Sequence, residues 1–225
     1  MRAMILAAGK GTRMRPLTDN TPKPLLKIAD RCLIEYHITR LVQAGFDEIV
    51  INLAYLGEQI KQTLGSGARY NAQLFYSHEG DIPLETGGGI FHALPLLGDQ
   101  PFLVINGDIW TDYPFEQLVN KINGLAHLVL VDNPPHHPQG DFVLEQQRIY
   151  QQGTPRLTFS GIGVYHPDLF IEYPTPPFPL LPLLLKAIQI DAVTGEYYSK
   201  EWIDIGTPER LQQLDIKVRS AMQLT

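Results

Sequence analysis

Cysteine is almost missing from this sequence, since Cys32 is the only one among 225 residues. One cysteine excludes an intrachain disulfide framework and is typical of a reducing compartment. No apolar run approaches the ~20 residues that a membrane-crossing helix needs. The short apolar run at residues 3–8 leads into a Gly/Lys/Arg loop instead of a signal-peptide cleavage site. We therefore expect a cytoplasmic protein without a membrane segment.

An excess of basic residues is also missing. Lysine and arginine number 18 against 24 aspartates and glutamates, which gives a net charge of -6. Because a nucleic-acid backbone requires a basic face, we expect no nucleic-acid partner. A local cluster of cations, or a metal ion, still allows phosphate-bearing small molecules to bind. The sequence shows no sign of an obligate protein partner or of internal repeats.

Apolar segments with the periods of strands and helices alternate along most of the chain. The strands predicted from this pattern are residues 3–8, 48–53, 73–76, 101–105, 126–131 and 157–165. The predicted helices are residues 32–44, 57–64, 89–94, 114–122, 180–188 and 208–218. This alternation indicates an α/β fold with a doubly wound, mostly parallel (mixed) sheet, in which ligands bind at the carboxyl ends of the strands. We therefore expect a site in the loops after Ala8, Ile105 and Ile205.

A glycine-rich loop follows the first predicted strand, with Leu-Ala-Ala-Gly-Lys-Gly-Thr-Arg at residues 6–13. Glycines let main-chain N–H groups approach a phosphate closely, and successive amides form an anion-binding concavity. Arg13 offers a planar fork that matches phosphate oxygens, and Lys23 offers a mobile point charge. The loop is neither a P-loop nor the dinucleotide fingerprint, because Gly-Lys-Ser/Thr and the third glycine are missing. For Gly-x-Gly alone, a simple turn with solvated charges is the alternative.

Together with Arg-Pro-Leu-Thr at residues 15–18 and Pro-Lys-Pro at residues 22–24, this loop resembles the signature of the sugar-1-phosphate nucleotidylyltransferases. The resemblance implies one Rossmann-like nucleotidyltransferase domain, with residues 1–131 as its nucleotide-binding half and residues 132–225 as its sugar-binding half. It implies an enzyme that joins a nucleoside triphosphate to a sugar 1-phosphate and releases pyrophosphate. Arg13 and Lys23 would be its catalytic cations, at the pyrophosphate and the α-phosphate. The other residues implied around the triphosphate are Leu6, Ala8, Gly9, Gly11 and Thr12.

Two aspartates lie in predicted short strands or at their ends. Asp108 stands in Asn-Gly-Asp after an apolar run, and Asp204 stands in Trp-Ile-Asp-Ile-Gly-Thr. One or two carboxylates can hold a Mg²⁺ ion that neutralises the charge developing in phosphoryl or nucleotidyl transfer. Each aspartate alone is more often a turn or cap residue. Both match motifs of the family, and the resemblance implies that Asp108 and Asp204 are the Mg²⁺ ligands.

A second glycine-rich segment, residues 79–89, is similar to the part of the family that lines the base and the ribose. Glu79 can accept the N3–H of uracil or thymine, because a carboxylate offers only acceptors. A helix N-cap is the alternative for residues of this segment. Glu85 stands where the family has a glycine. Thr86 and Gly87 are further nucleotide contacts implied by the resemblance.

The resemblance is strongest to family members that use UTP and N-acetylmuramic acid 1-phosphate in bacterial peptidoglycan recycling, and it extends over residues 1–219. The residues that would then contact the sugar are Asn106, Gly140, Asp141 and Glu145. Many larger relatives carry a Glu-Lys-Pro motif whose lysine meets the sugar phosphate. Here the comparable region reads Gln-Gln-Gly-Thr-Pro-Arg at residues 151–156, so that Arg156 or a second metal ion is left to replace the lysine.

The adjacent pair His136 and His137 does not indicate a zinc site, because no set of cysteines and histidines completes one. We expect a solvated or substrate-edge loop there instead.

The implied reaction is one in-line displacement, in which an oxygen of the sugar phosphate attacks the α-phosphorus of UTP. That oxygen is already anionic near neutral pH, so catalysis would depend on positioning and charge neutralisation. The alternatives are glucose 1-phosphate with dTTP, mannose 1-phosphate with GTP, and a non-catalytic nucleotide-binding module.

Overall fold

The structure is a computed structural model that describes residues 1–80, 84–171 and 176–223. Its strands are β1 (Ala3–Leu6), β2 (Lys27–Ile28), β3 (Arg31–Cys32), β4 (Glu48–Leu53), β5 (Gln73–His78), β6 (Phe102–Asn106), β7 (Ile109–Thr111), β8 (Ala126–Val131), β9 (Val143–Glu145), β10 (Arg148–Tyr150), β11 (Thr158–Tyr165), β12 (Val193–Tyr197) and β13 (Trp202–Asp204). Its α-helices are α1 (Leu33–Gln43), α2 (Gly57–Leu64), α3 (Glu85–Leu97), α4 (Leu181–Gln189) and α5 (Pro208–Met222). Short 3-10 turns lie at Thr12–Met14, Lys23–Leu25, Ala68–Tyr70, Phe115–Leu118 and Pro167–Phe170. Within these described ranges, no helix combines the length and the apolar character needed to cross a bilayer.

One nine-stranded sheet forms the centre of the molecule, in the order β5-β4-β1-β6-β11-β8-β12-β10-β9. The strands β5, β4, β1 and β6 run parallel to one another. In the second half, β11 runs antiparallel between β6 and β8, and β12 returns parallel to β8. The predicted α/β class with a doubly wound, mixed sheet is confirmed.

Side chains alternate between two cores along the buried strands, because successive residues of a strand point to opposite faces. In β1, Ala3 and Ile5 belong to one apolar cluster, and Met4 belongs to the other. Helices α1 and α2 cover the first cluster, whereas α3 and α4 cover the second. This two-faced packing holds the strand ends, and therefore the loops that follow them, in fixed positions.

A separate two-stranded sheet joins β7 to β13 in antiparallel pairing. The N–H of Ile205 donates to the carbonyl of Asp108 at 2.8 Å. Residues 108 and 204, which are far apart in the sequence, are thereby brought next to each other at the ends of adjacent strands. The helix α5, with Leu211 and Leu214 buried, packs beside this pair in a third apolar cluster that includes Met14 and Ile205.

The helix predicted at residues 114–122 is wrong. Only the 3-10 turn Phe115–Leu118 forms, since Val119 is extended and Asn120 takes a φ of 59°, which breaks any helical repeat. The short strands β9, β10 and β12 were not predicted from the sequence. Residues 81–83, which belong to the second glycine-rich segment, lie outside the described residues, as do residues 172–175 and 224–225.

Candidate active site

A cavity of about 360 Å³ opens where β1, β4 and β6 end. Its volume lies within the range of small-molecule sites, and most ligand sites in parallel sheets occupy this place. The loops after β1, β6 and β13 all contribute to its wall, through residues 6–9 and 11–14, 106–108 and 206. The structure therefore brings together the three loops that the sequence singled out.

The glycine-rich loop forms one wall of this cavity. Gly11 has a φ of 61°, which favours glycine, and its carbonyl accepts hydrogen bonds from the N–H of Met14 and the hydroxyl of Thr18, both at 2.8 Å. No heavy atom lies within 4 Å of the place that a Cβ would take on Gly9. The loop is thus held at Gly11 and open at Gly9. The predicted phosphate contacts on the cavity wall are Leu6, Ala8, Gly9, Gly11 and Thr12.

Arg13 and Lys23 also line the cavity, and each is held by a 3-10 turn. The Lys23 side chain is only 10% exposed, and its Nζ lies 2.7 Å from Oδ2 of Asp108. Arg13 is exposed and has no ion-pair partner among the residues that the structure describes. The guanidinium of Arg13 is therefore free to meet an anion. The ammonium of Lys23 is already paired with Asp108, a candidate metal ligand.

Gly107 explains why Asp108 reaches the cavity. The N–H of Gly107 donates to the carbonyl of Leu6 at 2.9 Å, and a Cβ on Gly107 would lie 2.6 Å from that oxygen. Only glycine allows the ends of β1 and β6 to approach so closely.

On the other side of the turn, His37 is buried and hydrogen-bonds to the main chain of Ile109. Burial lowers the pKa of His37 to about 4, so its imidazole is neutral near pH 7.

Asp204 lies behind Gly206 and does not itself line the cavity. Its Oδ1 is bound by Arg210 and lies 3.1 Å from Nε2 of His136. Its Oδ2 lies 3.1 Å from the place that a Cβ would take on Gly206, a residue of the cavity wall. The two aspartates therefore stand at the same end of the cavity. Asp108 lines the cavity wall, and Asp204 lies behind Gly206.

These carboxylates fit a Mg²⁺ ion. Mg²⁺ typically binds one or two carboxylates and takes its other ligands from water and substrate phosphates. Lys23 occupies one oxygen of Asp108, and Arg210 with His136 occupies one oxygen of Asp204. In the described part of the chain, no group of three or more His, Cys, Asp or Glu side chains could enclose a metal. Such a sparse donor set suits an ion that arrives with a triphosphate.

One side of the cavity, which we call the base side because the sequence predicts base contacts there, contains Glu79 and Thr86. It also contains Asn52, a residue that the sequence did not single out. Both oxygens of Glu79 accept hydrogen bonds, one from Asn52 at 2.6 Å and the other from the N–H of Leu84 at 2.8 Å. The N-cap of α3 is Leu84, with no side-chain capping hydrogen bond, so Glu79 is not the N-cap but binds the N–H of that residue. Glu85 has a φ of 62°, a conformation that favours the glycine found there in the family.

Gly87, a predicted nucleotide contact, does not line the cavity. It is buried, and a Cβ on it would lie 2.7 Å from the ring of Phe178. Close packing of α3 against residue 178 therefore accounts for this glycine.

Among the predicted sugar contacts, only Asn106 lines the cavity. Asp141 does not line the cavity, and its Oδ2 accepts the N–H of Phe159 at 2.8 Å. Two residues along β11 from Phe159, a Cβ on Gly161 would lie 2.5 Å from Nδ2 of Asn106. Gly140 has a φ of 61° and packs against Asn133 and Arg156. Glu145 is exposed on β9, the edge strand of the sheet, and the structure does not bring it to the cavity.

His136 and His137 contact different aspartates. The Nε2 of His136 lies 3.1 Å from Asp204, and the Nε2 of His137 lies 3.0 Å from Asp141. The pair therefore does not converge on one metal ion. Instead, its loop connects Asp204, a predicted metal ligand, to Asp141, a predicted sugar contact.

Asn52 and Arg210 are two polar site residues that sequence reasoning missed. Asn52 is a polar residue near the carboxyl end of the buried strand β4, and this position was an available signal. Arg210 follows the Gly-Thr-Pro turn after Asp204, within the first turn of α5. Neither residue belongs to a recognisable motif.

The chain is similar to known proteins in sequence and in fold. The profile of a family described as Nucleotidyl transferase matches residues 2–147. The N-acetylmuramate alpha-1-phosphate uridylyltransferase of Neisseria meningitidis serogroup B is 50% identical over 223 residues, which cover 95% of this chain and 96% of that protein. The protein of the same name from Caulobacter vibrioides is 32% identical, with 92% of each chain covered. A candidate glucose-1-phosphate thymidylyltransferase from Bacillus anthracis shares the fold at a TM-score of 0.85 and 21% identity, covering 97% of this chain and 95% of that one.

Proposed function

The chain belongs to the nucleotidyl transferase family, and from this premise we propose that it transfers UMP from UTP to N-acetylmuramic acid 1-phosphate. The products are UDP-N-acetylmuramic acid and pyrophosphate. The near full-length likeness to uridylyltransferases of this specificity supports the choice of substrates. The geometric observation that supports the chemistry is the 2.7 Å pair of Lys23 and Asp108, which faces the glycine-rich loop across one cavity. We place the reaction in the cytoplasm, within peptidoglycan recycling.

The triphosphate is proposed to bind along the loop from Leu6 to Arg13. Main-chain N–H groups near Gly9 and Gly11 would donate to the phosphate oxygens, since successive amides attract anions. Arg13, which has no carboxylate partner in the described part of the chain, would hold the two outer phosphates that depart. Lys23 would reach the α-phosphate from its position beside Asp108.

Asp108 and Asp204 are proposed to hold Mg²⁺, which when bound neutralises charge on the triphosphate. No residue needs to move a proton, because the attacking phosphate oxygen of the sugar is already ionised. A bond forms between that oxygen and the α-phosphorus, and the bond from the α-phosphorus to the bridging oxygen of pyrophosphate breaks. Asn106, at the end of β6, would hold the sugar in line with this bond.

Other family substrates remain as a second candidate, glucose 1-phosphate with dTTP or mannose 1-phosphate with GTP. The carboxylate of Glu79 favours a base with an imide N–H, which uracil and thymine carry and cytosine lacks. A non-catalytic nucleotide-binding module is disfavoured because Arg13, Lys23, Asp108 and Asp204 are all present.

Pyrophosphate release over a matrix of triphosphates and sugar 1-phosphates tests the proposal. We expect UTP with N-acetylmuramic acid 1-phosphate to give the highest kcat/KM. Asp108→Asn should lower kcat by about 100-fold or more, as does the loss of a group that stabilises transition-state charge. Asp112→Asn, on the same strand pair but hydrogen-bonded to Tyr198, is the control and should retain turnover.

A preference for GTP with mannose 1-phosphate would overturn the choice of substrates. Full turnover by Asp108→Asn would overturn the metal assignment. Binding of UTP without turnover on any sugar phosphate would favour the non-catalytic module.

A further inference from the structure

Asn52 connects two walls of the cavity through its side chain. It is 3% exposed and lies on β4, between the glycine-rich loop and the base side. Its Oδ1 accepts the N–H of Ala7 at 2.7 Å, and its Nδ2 donates to Oε1 of Glu79 at 2.6 Å. One buried amide therefore fixes both Ala7 of the glycine-rich loop and Glu79, the carboxylate that we propose to recognise the base.

The surrounding chain is shaped to hold this pair. The N–H of Glu79 donates to the carbonyl of Leu53 at 2.8 Å, and Oε2 of Glu79 accepts the N–H of Leu84 at 2.8 Å. A Cβ on Gly89 would lie 2.5 Å from Oε1 of Glu79 and 3.1 Å from Nδ2 of Asn52. Glycine at position 89 thus leaves room for the Asn52–Glu79 contact under helix α3.

The chemistry of this contact requires an amide at position 52. Asparagine supplies one acceptor and two donors, so it satisfies the N–H of Ala7 and the carboxylate of Glu79 together. A carboxylate has about four acceptor positions, and the protein uses one on each oxygen of Glu79. Glu79 therefore keeps acceptor capacity on the cavity side and is fixed in orientation.

We propose that Asn52 is a positioning residue for base selection, which holds Glu79 as a fixed acceptor for the imide N–H of a uracil nucleotide. The proposal rests on the assignment of Glu79 to base recognition under the proposed function. A cytosine nucleotide presents a ring nitrogen without hydrogen at the same place, so the fixed carboxylate rejects it. Asn52 itself acts through Glu79.

The variant Asn52→Asp separates this role from simple packing, because it keeps the shape and replaces the donor with a second carboxylate. Two carboxylates at the 2.6 Å separation of the native pair share one proton. The shared proton takes negative charge from Glu79, so the imide N–H of uracil meets a weaker acceptor. We therefore expect the ratio of UTP to CTP affinity to fall by about 10- to 150-fold, the value of a hydrogen bond to a charged group, and to recover as the pH rises.

Nucleotide binding is measured directly by calorimetric titration of UTP and CTP without the sugar, from about pH 7 to about pH 9. This window lies above the ordinary titration of histidine. The charged or titratable groups on the elements around the pair are Glu48 on β4, Glu58 and Lys61 on α2, Tyr76 and His78 on β5, and Glu85 and His92 on α3. Arg13, Lys23 and Asp108 line the same cavity. Asn123→Asp, which adds the same charge at an exposed loop position, is the control and should keep the wild-type ratio at every pH.

The double variant Asn52→Asp with Glu79→Gln keeps the test decisive if Asn52→Asp does not fold. In it the glutamine amide donates to the new carboxylate at position 52, and the glutamine oxygen accepts from Leu84, so the buried hydrogen bonds are restored in reverse. We expect wild-type thermal stability together with a ratio of UTP to CTP affinity lower than that of Glu79→Gln alone, in which Asn52 still donates to the oxygen of residue 79. Equal ratios in these two variants would overturn the proposal, as would a pH-independent, wild-type ratio in Asn52→Asp.

Failure of this inference is distinguishable from failure of the proposed function. The binding ratio does not depend on turnover, and pyrophosphate release by the wild-type chain is measured separately.

Discussion

Arg156 carries a positive charge that no carboxylate in the described part of the chain neutralises. One of its terminal nitrogens donates to the main-chain carbonyl of Asp141, and its Nε is buried without a hydrogen-bond partner among the described residues. A guanidinium has five N–H donors, so most of them are unused. It stands beside Gly140, on the side that we propose for the sugar. This is the place where an anionic group of the substrate would satisfy it.

N-acetylmuramic acid carries a lactyl carboxylate, and we expect Arg156 to pair with it. Arg156→Met should then raise the KM for N-acetylmuramic acid 1-phosphate by about 10- to 150-fold, because this hydrogen-bonded charge pair is lost. N-acetylglucosamine 1-phosphate lacks this carboxylate, and its KM should change little. Pyrophosphate release with both sugars measures the difference. Arg148→Met is the matched control, since Arg148 is exposed and pairs with Asp191.

Equal losses with both sugars would assign Arg156 to the shared phosphate, the role of the lysine in Glu-Lys-Pro relatives. Unchanged KM values for both sugars would remove Arg156 from the site.

At the scale of the element, strand β11 carries an irregularity that shapes the site. Its register against β8 shifts between Phe159 and Ile162. Gly161, within this bulge, has a φ of 80° and touches Asn106 at the end of β6. The bulge thus bends β11 so that a glycine lies under the residue that we propose to hold the sugar.

Gly161→Ala should lower the free energy of unfolding by about 1–3 kcal/mol, the cost of a strained backbone, and should raise the KM for the sugar. The added Cβ would meet Nδ2 of Asn106 at 2.5 Å, so that side chain must move. Urea unfolding and sugar-dependent pyrophosphate release measure the two effects. Gly45→Ala is the control for backbone strain, because its φ of 88° is similar and, apart from its chain neighbours, no atom of the described residues lies within 4 Å of its Cβ position. It should lose a similar free energy of unfolding and keep the wild-type KM. A wild-type KM in Gly161→Ala as well would show that contact with Asn106 does not matter.

Elements with a buried stripe could be predicted from the sequence because their periodicity is local. Strand β4 and helix α2 begin and end at the predicted residues. The 3-10 turn Phe115–Leu118 was mistaken for a helix because its apolar residues have helical spacing, whereas Asn120 breaks the repeat through its backbone conformation. Strand β10 was missed because it is short and half exposed, so it shows little alternation.

The same distinction applies to the candidate site. The glycine-rich loop and Asp108 follow buried strands, and their place at the sheet edge could be predicted from that order. The role of Asn52 could not, because its hydrogen bonds reach Ala7 and Glu79, 45 and 27 residues away. Only the neighbouring positions of β1, β4 and β5 in the sheet create that contact.

At the scale of the whole molecule, one charged network ties the second half of the sheet to the segment that follows β7. Glu196 on β12 accepts hydrogen bonds from Tyr113 and lies 3.3 Å from Nε2 of His127 on β8 and 3.2 Å from Nζ of Lys121. Hydrogen bonding from His127, then from Tyr113 and Lys121, lowers the pKa of Glu196 from its ordinary value of 4.5 to about 2. The carboxylate therefore stabilises the folded state most when it is ionised.

The sign of the pH dependence follows from that lowered pKa. The folded state holds the proton of Glu196 less tightly than the unfolded state. The stability that the ionised Glu196 contributes is therefore complete above the unfolded pKa and is lost as the pH falls from about 4.5 to about 2.

We expect Glu196→Gln to lower the free energy of unfolding by about 1–3 kcal/mol near neutral pH, because bonds to a charged acceptor are weakened. The difference between wild type and variant should shrink through the acidic window, since the carboxylates common to both chains cancel in it. Urea unfolding at a series of pH values measures this difference, with Glu116→Gln as an exposed control in the nearby turn. A difference that stays constant from neutral pH down to about 2 would mean that the charge of Glu196 does not hold the two parts of the sheet together.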